Sequence, residues 1–434
     1  MTMTWEVTDQ KKMKKNLFVL IIIVFATSCS SYQKAIRKTT DNVLISDFYK
    51  NQFAGLLVLD PETNDTLYAH QSKKYFTPAS NTKIFTLYSS LQLLPENVPA
   101  LKYAVDKNTL YIQGTGDPSF LHPHFQDSTS FHFLKKFNNI VLDLTNFEGE
   151  KLGQGWAWDD YQYYYQPEMT PLPLYGNVTT IFNTNGLDVT PDFFKDDVVR
   201  TWYKKNRELD HNTFYFSKSR KDTIEIPYRT DTLLTKKLLE SALNKEVALT
   251  KQPIEGDKQI LYGQPSDSLY IRMMHESDNF IAEQLLILSS STLSDTLSGK
   301  KTREYILKNQ LADLEQPPRW VDGSGLSRYN LFSPESMVAV LNKMYQTVPK
   351  QRLFTIFPEN AVSGTLKSWD YNGGYPKMYA KSGSLSNNYC LSGYLITSTG
   401  KILVFSFMNN HYQQSTSEVK KKMQQVLRQI ADLY

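Results

Sequence analysis

Three short polar motifs, far apart along the chain, set the strongest condition on how this sequence of 434 residues folds. They are Ser80-Asn81-Thr82-Lys83, Ser277-Asp278-Asn279 and Lys381-Ser382-Gly383. Each contains some of the hydroxyl, amine and amide groups that acyl transfer to a serine requires, and none contains them all. If they act together, the fold has to join segments that are 197 and 104 positions apart (277 minus 80, and 381 minus 277).

The first motif places a serine and a lysine on one face of a helix, because residues three apart are neighbours there. The spacing alone is weak evidence. Ser80 is distinguished by Pro78 before it and by the apolar stretch Ile84 to Leu94 after it, which predicts a buried helix. A helix N-terminus adds free N–H groups beside the serine. The same spacing also occurs at Ser31, Ser298, Ser398 and Ser417.

Lys83 can act as a general base only if its amine is neutral near pH 7. Burial lowers a lysine pKa, and so does a second cation nearby, which we expect Lys381 to supply. The alternative is an ordinary solvated helix lysine, which is the usual fate of this residue type.

The second motif lies in Ser268 to Ile287, whose apolar residues predict a buried helix and turn. Polar groups there must be hydrogen-bonded or used. We expect Ser277 to pass a proton to a leaving amine and Asn279 to bond a substrate amide. The alternative is a helix break with capping side chains.

The third motif leads into a predicted C-terminal hairpin, so we expect it on an edge strand. Lys381 and Ser382 can bind a free carboxylate there, and Gly383 lets a substrate backbone approach closely. The N–H groups of Ser384 and Ser80 can form an oxyanion hole. The alternative is a plain polar edge strand protected by lysine.

Composition and charge narrow the class of protein. With 41% hydrophobic and 21% charged residues the chain is globular and long enough for two or three domains. The net charge of +4 comes from scattered lysines, which argues against nucleic-acid binding. Two cysteines are too few for a disulfide framework.

The first 29 residues have the composition of a signal peptide. Four lysines between positions 11 and 15 precede the apolar run Leu17 to Ala26, which is too short to span a bilayer. Ala26-Thr27-Ser28-Cys29 resembles a bacterial lipobox, which predicts lipidation of Cys29, with Ser30 favouring the outer membrane. A soluble periplasmic protein cut near the same place is the alternative, and Met13 is an alternative start to Met1.

The rest of the chain divides into an outer and an inner part. Hairpins are predicted over Phe53 to His70 and Cys390 to Met408, with a helix following each. Residues 30–98 and 258–434 are therefore expected to form one discontinuous catalytic domain. Residues 99–257 contain short strand candidates and an aromatic cluster, which predict an inserted β-rich accessory domain.

At this point the chain resembles the type 4 low-molecular-mass penicillin-binding proteins, D-alanyl-D-alanine carboxypeptidases and endopeptidases of peptidoglycan. The resemblance spans most of the mature chain, and Ser382 replaces the family's usual threonine. Besides the three motifs it rests on Phe76 to Lys83, Gly114-Thr115-Gly116-Asp117-Pro118, Gly155-Trp156-Ala157-Trp158-Asp159-Asp160 and Asp322-Gly323-Ser324-Gly325-Leu326-Ser327-Arg328-Tyr329-Asn330.

The resemblance implies an α/β fold with an antiparallel sheet flanked by helices. It also implies a Ser80 acyl-enzyme formed from peptidoglycan peptides or from β-lactam antibiotics, with no cofactor and no metal. Two other functions remain open. One is a non-catalytic envelope module with an inherited pocket; the other is a β-lactamase, which would need a deacylating glutamate, and only Glu315 stands in a suitable interval.

Weaker candidates lie in the predicted insert. Asp159 is a candidate contact for the diamino acid of a stem peptide, although a solvated turn is an equal interpretation. His122 and His124 flank a proline without an acidic or cysteine partner in sequence, so we expect an exposed loop rather than a metal site.

Overall fold

The computed structural model describes residues 32–184, 186–254, 256–369 and 376–434. The signal peptide, the lipobox-like segment and Cys29 lie outside these residues, so the predictions made for them stay predictions. None of the helices in the described ranges is long and apolar enough to span a membrane.

The main sheet joins the two ends of the chain. Its five strands are antiparallel in the order β13, β14, β15, β1, β2. The strands are β1 (Phe53–Asp60), β2 (Asp65–His70), β13 (Met378–Leu385), β14 (Asn388–Ile396) and β15 (Ile402–Asn410). Both predicted hairpins are therefore confirmed, and β1 pairs with β15 from Phe53 opposite Asn410. The third motif lies on β13, at the sheet edge, as predicted.

Helices cover both faces of this sheet. Residues 32–44, which form helix α1, and α10 (Thr416–Leu433) pack on one face. The other face carries α2 (Lys83–Leu93), α5 (Ser266–His275), α6 (Asn279–Ser290), α7 (Gly299–Asn309), α8 (Pro334–Thr347) and α9 (Lys350–Ile356). Because both faces are buried, β1 is continuously apolar: Leu56 and Val58 face one cluster and Leu57 and Leu59 the other.

The region between the outer parts has its own strands and core. A second sheet has the order β11, β5, β4, β3, β12, a third has β10, β6, β7, and β8 pairs with β9. Their bounds are β3 Asn97–Asp106, β4 Thr109–Gly114, β5 Asn139–Asp143, β6 Val178–Asn183, β7 Leu187–Thr190, β8 Val198–Val199, β9 Phe214–Tyr215, β10 Ile224–Pro227, β11 Ala248–Leu249 and β12 Gln259–Pro265. Two helices, α3 (Thr129–Lys135) and α4 (Thr232–Leu243), complete it.

The chain enters and leaves this region through neighbouring strands. β3 and β12 pair antiparallel, with Asn97 opposite Pro265 at their outer end. The proposed boundary at residue 99 falls inside β3, whereas the one at residue 257 falls just before β12 begins at Gln259. Because this region starts and ends on adjacent strands, the outer parts of the chain before and after it lie close enough to pair in the main sheet.

Candidate active site

Ser80 lies in a single turn of 3-10 helix, Ala79–Thr82, that continues directly into α2. The sequence predicts an α-helix around Ser80. In the structure this turn is 3-10 helix, and the α-helix begins one turn later, at Lys83. Side chains three apart still align in a 3-10 turn, and the Lys83 Nζ lies 3.1 Å from the Ser80 Oγ. Ala79 has φ +48°, a strained backbone for a residue with a side chain, immediately before the serine.

Lys83 is fully buried, and its amine is held by three groups. Besides Ser80, the Nζ donates to Asn279 Oδ1 at 2.7 Å and to the Ser324 carbonyl at 2.7 Å. Burial lowers the pKa of Lys83 to about 8, although the carboxylates of Glu283, Asp322 and Asp278 act to raise it. The interpretation of Lys83 as a solvated helix lysine is therefore wrong.

Lys381 is a second buried amine, on the opposite side of the cleft. Its Nζ donates to Ser277 Oγ at 3.0 Å and to the Ser382 carbonyl at 2.8 Å. Burial, and then the charge of Lys83, hold the pKa of Lys381 well below its usual range. We expected burial and the charge of Lys381 to lower the pKa of Lys83. Burial lowers it as expected, whereas the repulsion between the two amines lowers chiefly the pKa of Lys381.

The second motif divides three tasks among three side chains. Ser277, with φ +57°, connects α5 to α6 and contacts Lys381. Asp278 caps α6 by accepting the Ile281 N–H at 3.0 Å, and it pairs with Arg272 Nε at 2.9 Å. Asn279 contacts Lys83. The helix break that was the alternative interpretation is thus present as well, but only Asp278 performs the capping.

Gly383 brings the edge strand against the Ser80 turn. A Cβ atom at this position would lie 2.6 Å from the Pro78 carbonyl oxygen and 2.9 Å from the Ser80 nitrogen. Only glycine allows this approach, which brings β13 directly against the backbone of Ser80. Ser382 donates its hydroxyl to Thr365 Oγ1 at 2.8 Å, and no motif in the sequence indicates this neighbour.

These motifs border one cleft of about 840 Å³. Ser80, Ser277, Asn279, Ser382 and Ser384 line it, and the two lysines lie beneath its floor. The structure therefore brings all three motifs together, although their catalytic and binding roles stay predictions.

Asp159 differs from the other predicted site residues. It is exposed and does not line the cleft, whereas its neighbour Asp160 does. Asp160 is oriented by the Tyr165 hydroxyl, which donates to its Oδ1 at 2.9 Å. On this geometry Asp160 is better placed than Asp159 for contact with a ligand.

A buried carboxylate behind Lys83 was not predicted. Glu283 on α6 accepts the N–H groups of Gly323 and Ser324 at 2.9 and 2.7 Å. Burial, and then the charge of Asp322, raise the pKa of Glu283. Since Ser324 also accepts from Lys83, Glu283 fixes the loop that holds the amine.

Asp322 links two segments that the sequence analysis had quoted separately. Its Oδ2 accepts from Trp156 Nε1 at 2.9 Å and from the Ser327 N–H at 2.6 Å. Its Oδ1 accepts from the Gly325 N–H at 2.8 Å. Gly325, with φ +84°, packs against the Ala79 carbonyl so closely that a Cβ would lie 1.9 Å away. These contacts support the turn that carries Ser80.

His122 contradicts the prediction of an exposed loop. It is 9% exposed and lines the cleft, while His124 is exposed. Burial lowers the pKa of His122 to about 4, and its Nδ1 accepts the His124 N–H at 3.1 Å. Throughout the described residues no three His, Cys, Asp or Glu side chains are grouped as metal ligands would be.

A reactive serine beside a buried lysine, a second lysine on an edge strand and a helix-covered antiparallel sheet define the class of penicillin-binding serine enzymes. The sequence pattern of the D-Ala-D-Ala carboxypeptidase 3 (S13) family matches residues 37–194 and 225–430. The chain therefore belongs to this family, whose members are serine-type hydrolases.

Individual relatives are distant but span nearly the whole chain. D-alanyl-D-alanine carboxypeptidase DacB of Haemophilus influenzae is 22% identical, over 91% of this chain and 94% of its own length. A D-alanyl-D-alanine carboxypeptidase of Actinomadura sp. strain R39 is 24% identical, over 86% and 81%. The crystal structure of penicillin-binding protein 4 from Haemophilus influenzae superposes with a TM-score of 0.68, at 20% identity over 90% and 97% of the two chains. This last similarity establishes the shared fold.

Proposed function

We propose that the protein hydrolyses peptidoglycan stem peptides at D-Ala-D-Ala bonds, through an acyl-enzyme on Ser80. The observation that carries this proposal is the contact of 3.1 Å between the Lys83 amine and the Ser80 hydroxyl, because Lys83 is buried and its pKa is lowered toward neutrality. A neutral amine at this distance can remove the hydroxyl proton.

Acylation starts with transfer of the Ser80 proton to Lys83. The Ser80 oxygen then bonds to the carbonyl carbon of the penultimate D-alanine. The N–H groups of Ser80 and Ser384 stabilise the negative charge that develops on the carbonyl oxygen. The proximity that Gly383 permits between the two backbones supports this role.

Expulsion of the leaving group requires a proton on its nitrogen. Ser277 can donate its hydroxyl proton there and recover one from the lysine side of the cleft. The Lys381 contact to Ser277 supports such a relay. The C–N bond breaks, the amine departs, and water then hydrolyses the ester, which restores the Ser80 hydroxyl.

Substrate orientation is assigned to the rest of the cleft. Lys381 and Ser382, with Thr365 beside them, bind the carboxylate at the peptide terminus. Asn279 and the backbone of Ser384 hold the amides of the acyl part, and Asp160, rather than Asp159, contacts the diamino acid. A β-lactam ring presents a similar carbonyl and carboxylate, so these antibiotics acylate Ser80.

The cell envelope is the proposed location, since peptidoglycan is found there. Lipidation at Cys29 would anchor the protein to the outer membrane. Replacing Cys29 with Ala should release the protein into the soluble periplasmic fraction. Unchanged membrane association of that variant would contradict lipidation at this residue.

A β-lactamase is disfavoured by the positions of the glutamates. Glu315 lies on the surface, where it pairs with Lys73 at 2.6 Å. Glu283 is committed to backbone N–H groups behind Lys83. Neither can activate water at the acyl-enzyme. A non-catalytic module is disfavoured because it has no need of a buried lysine bonded to a serine hydroxyl.

Mass spectrometry after incubation with muropeptides tests the proposal. Monomeric pentapeptides should lose one alanine, or cross-linked dimers should become monomers. Penicillin should add its mass to the protein. Ser80→Ala should abolish all of these, whereas Ser417→Ala, an exposed serine with the same spacing to a lysine, should change none of them. Activity that persists in Ser80→Ala would overturn the assignment.

A further inference from the structure

One end of the cleft carries a lysine that the proposed mechanism does not use. Lys420, in the second turn of α10, lines the cleft together with Leu385, Ser386 and Tyr389. Its Nζ lies 5.0 Å from the centre of the Tyr389 ring. Tyr389 is fixed in turn, because its hydroxyl accepts from Trp369 Nε1 at 2.9 Å.

Lys420 has no counter-charge in the described part of the chain. It makes no ion pair or hydrogen bond there, and burial lowers its pKa without any carboxylate acting to raise it. A half-buried cation without a partner is a favourable position for an anionic group of a ligand.

The two ends of the cleft differ in charge. Away from β13 and α10 the charged lining residues are Asp160, Glu225, Glu276, Arg328 and the pair formed by Arg272 and Asp278, so acidic groups outnumber basic ones there. The end lined by β13 and α10 carries Lys420 and no acidic lining residue. An anionic part of a substrate is therefore drawn toward the sheet end.

That end adjoins the leaving-group side of the proposed reaction, because Lys420 lies over the Tyr389 ring and the Tyr389 hydroxyl contacts Ser382, which receives the departing carboxylate. A terminal D-alanine ends at that carboxylate. The amine released from a peptide cross-link instead belongs to a second stem peptide, which carries further carboxylates. A cation located beyond Ser382 can contact those further carboxylates but finds no such group on a terminal D-alanine. It therefore distinguishes between these two leaving groups.

We propose that Lys420 is a specificity-determining residue that binds a carboxylate of this second stem peptide and so favours cleavage of cross-links over removal of terminal D-alanine. The inference rests on the proposed function. It assigns a substrate class to a part of the cleft beyond the three motifs.

The test compares kcat/KM for purified cross-linked dimers and for monomeric pentapeptides. In Lys420→Ala the ratio of dimer to monomer kcat/KM should fall about three- to tenfold, and Lys420→Glu should lower it further. Lys420→Arg should restore most of the ratio. Lys421→Ala, an exposed lysine next to it on α10, should leave the ratio unchanged. In the unmodified protein, added salt should lower the ratio.

The outcomes separate the inference from the proposed function. A ratio unchanged in Lys420→Ala, or equal losses on both substrates, would overturn the inference while leaving the DD-peptidase assignment intact. The same holds if the unmodified protein trims monomers but never cuts dimers. If it processes neither substrate and penicillin leaves Ser80 unmodified, the proposed function itself fails. Thermal melting and penicillin acylation of each variant confirm that it is folded.

Discussion

At the scale of single residues, the proposed chemistry depends on a proton exchanged among a buried group of lysine and serine side chains. Lys83 and Lys381 are both fully buried, and each is bonded to a serine hydroxyl. Two charged amines in such a place repel each other, so the pair gives up a proton more readily than an exposed lysine would. We expect this property to be visible in the pH dependence of acylation.

The rate of penicillin acylation should rise with pH through an apparent pKa near 8. In the proposed mechanism the neutral form of Lys83 is the base, and burial lowers its pKa to about 8, so the reactive fraction grows as pH increases through that value. Stopped-flow measurement of the second-order acylation rate between pH 6 and 9.5 checks this. A rate that falls across this range would contradict the role of Lys83.

Lys83→Met should lower acylation about 10²- to 10⁴-fold, the range usual for loss of a general base. Methionine has a similar length but cannot accept a proton. Lys73→Met, at an exposed lysine, serves as the matched control and should acylate normally. Intact-protein mass spectrometry after a timed exposure to penicillin measures both. Near-normal acylation of Lys83→Met would assign the base to another group.

Glu283→Gln should shift the same pH profile toward lower pH. The Glu283 carboxylate acts to raise the pKa of Lys83, so its removal lowers that pKa and exposes the neutral amine earlier in the titration. The measurement is again the acylation rate against pH, with the melting temperature recorded alongside. A shift toward higher pH would show that Glu283 does not act on Lys83 through its charge.

At the scale of elements, the contact between β13 and the turn that carries Ser80 depends on Gly383, which has no side chain. Gly383→Ala should lower acylation at least about 100-fold, because the new methyl group would force apart the backbones that form the oxyanion hole. Gly299→Ala, at the start of α7, is the control, since its Cβ would meet nothing closer than 3.4 Å. Equal acylation of the two variants would contradict a role for the close approach.

Local patterns in the sequence located most elements around the site. The apolar run after Ser80 predicted α2, and the turn at Ser398 to Gly400 predicted the hairpin of β14 and β15. Ser333 before Pro334 and Glu335 is likewise typical of a helix start, and its Oγ accepts the Ser336 N–H at 3.0 Å at the start of α8. Helix caps, turns and apolar periodicity can be recognised in the sequence because each depends on residues only a few positions apart.

Contacts between distant segments could not be predicted in the same way. The bond between Asp322 and Trp156 joins residues 166 positions apart, and the one between Ser382 and Thr365 joins a strand to a loop. Burial of Glu283 and of His122 likewise depends on what the fold packs against them. The candidate reacting groups could therefore be predicted from sequence, whereas the groups that orient them and set their pKa values required the structure.

At the scale of the whole molecule, the main sheet requires both termini. β15 lies between β14 and β1, and α10 covers the sheet with Val419, Met423, Val426 and Leu427, all fully buried. A chain that ends at Asn410 would leave this apolar face in water, and we expect it not to fold. Circular dichroism and penicillin acylation of the shortened chain check this expectation; a cooperative melting transition together with normal acylation would contradict it.

The pairing of β1 with β15 also determines when during synthesis the enzyme can become active. The ribosome makes β1 and its hairpin partner β2 early and β15 almost last, so one edge of β1 waits unpaired while more than 340 residues are added (402 minus 60). The inserted region, whose first and last strands pair with each other, can fold during that interval. A nascent polypeptide therefore cannot complete its main sheet, and with it the site, until β15 has been made. Polypeptides stalled before Ile402 should accordingly acquire no label from a fluorescent penicillin.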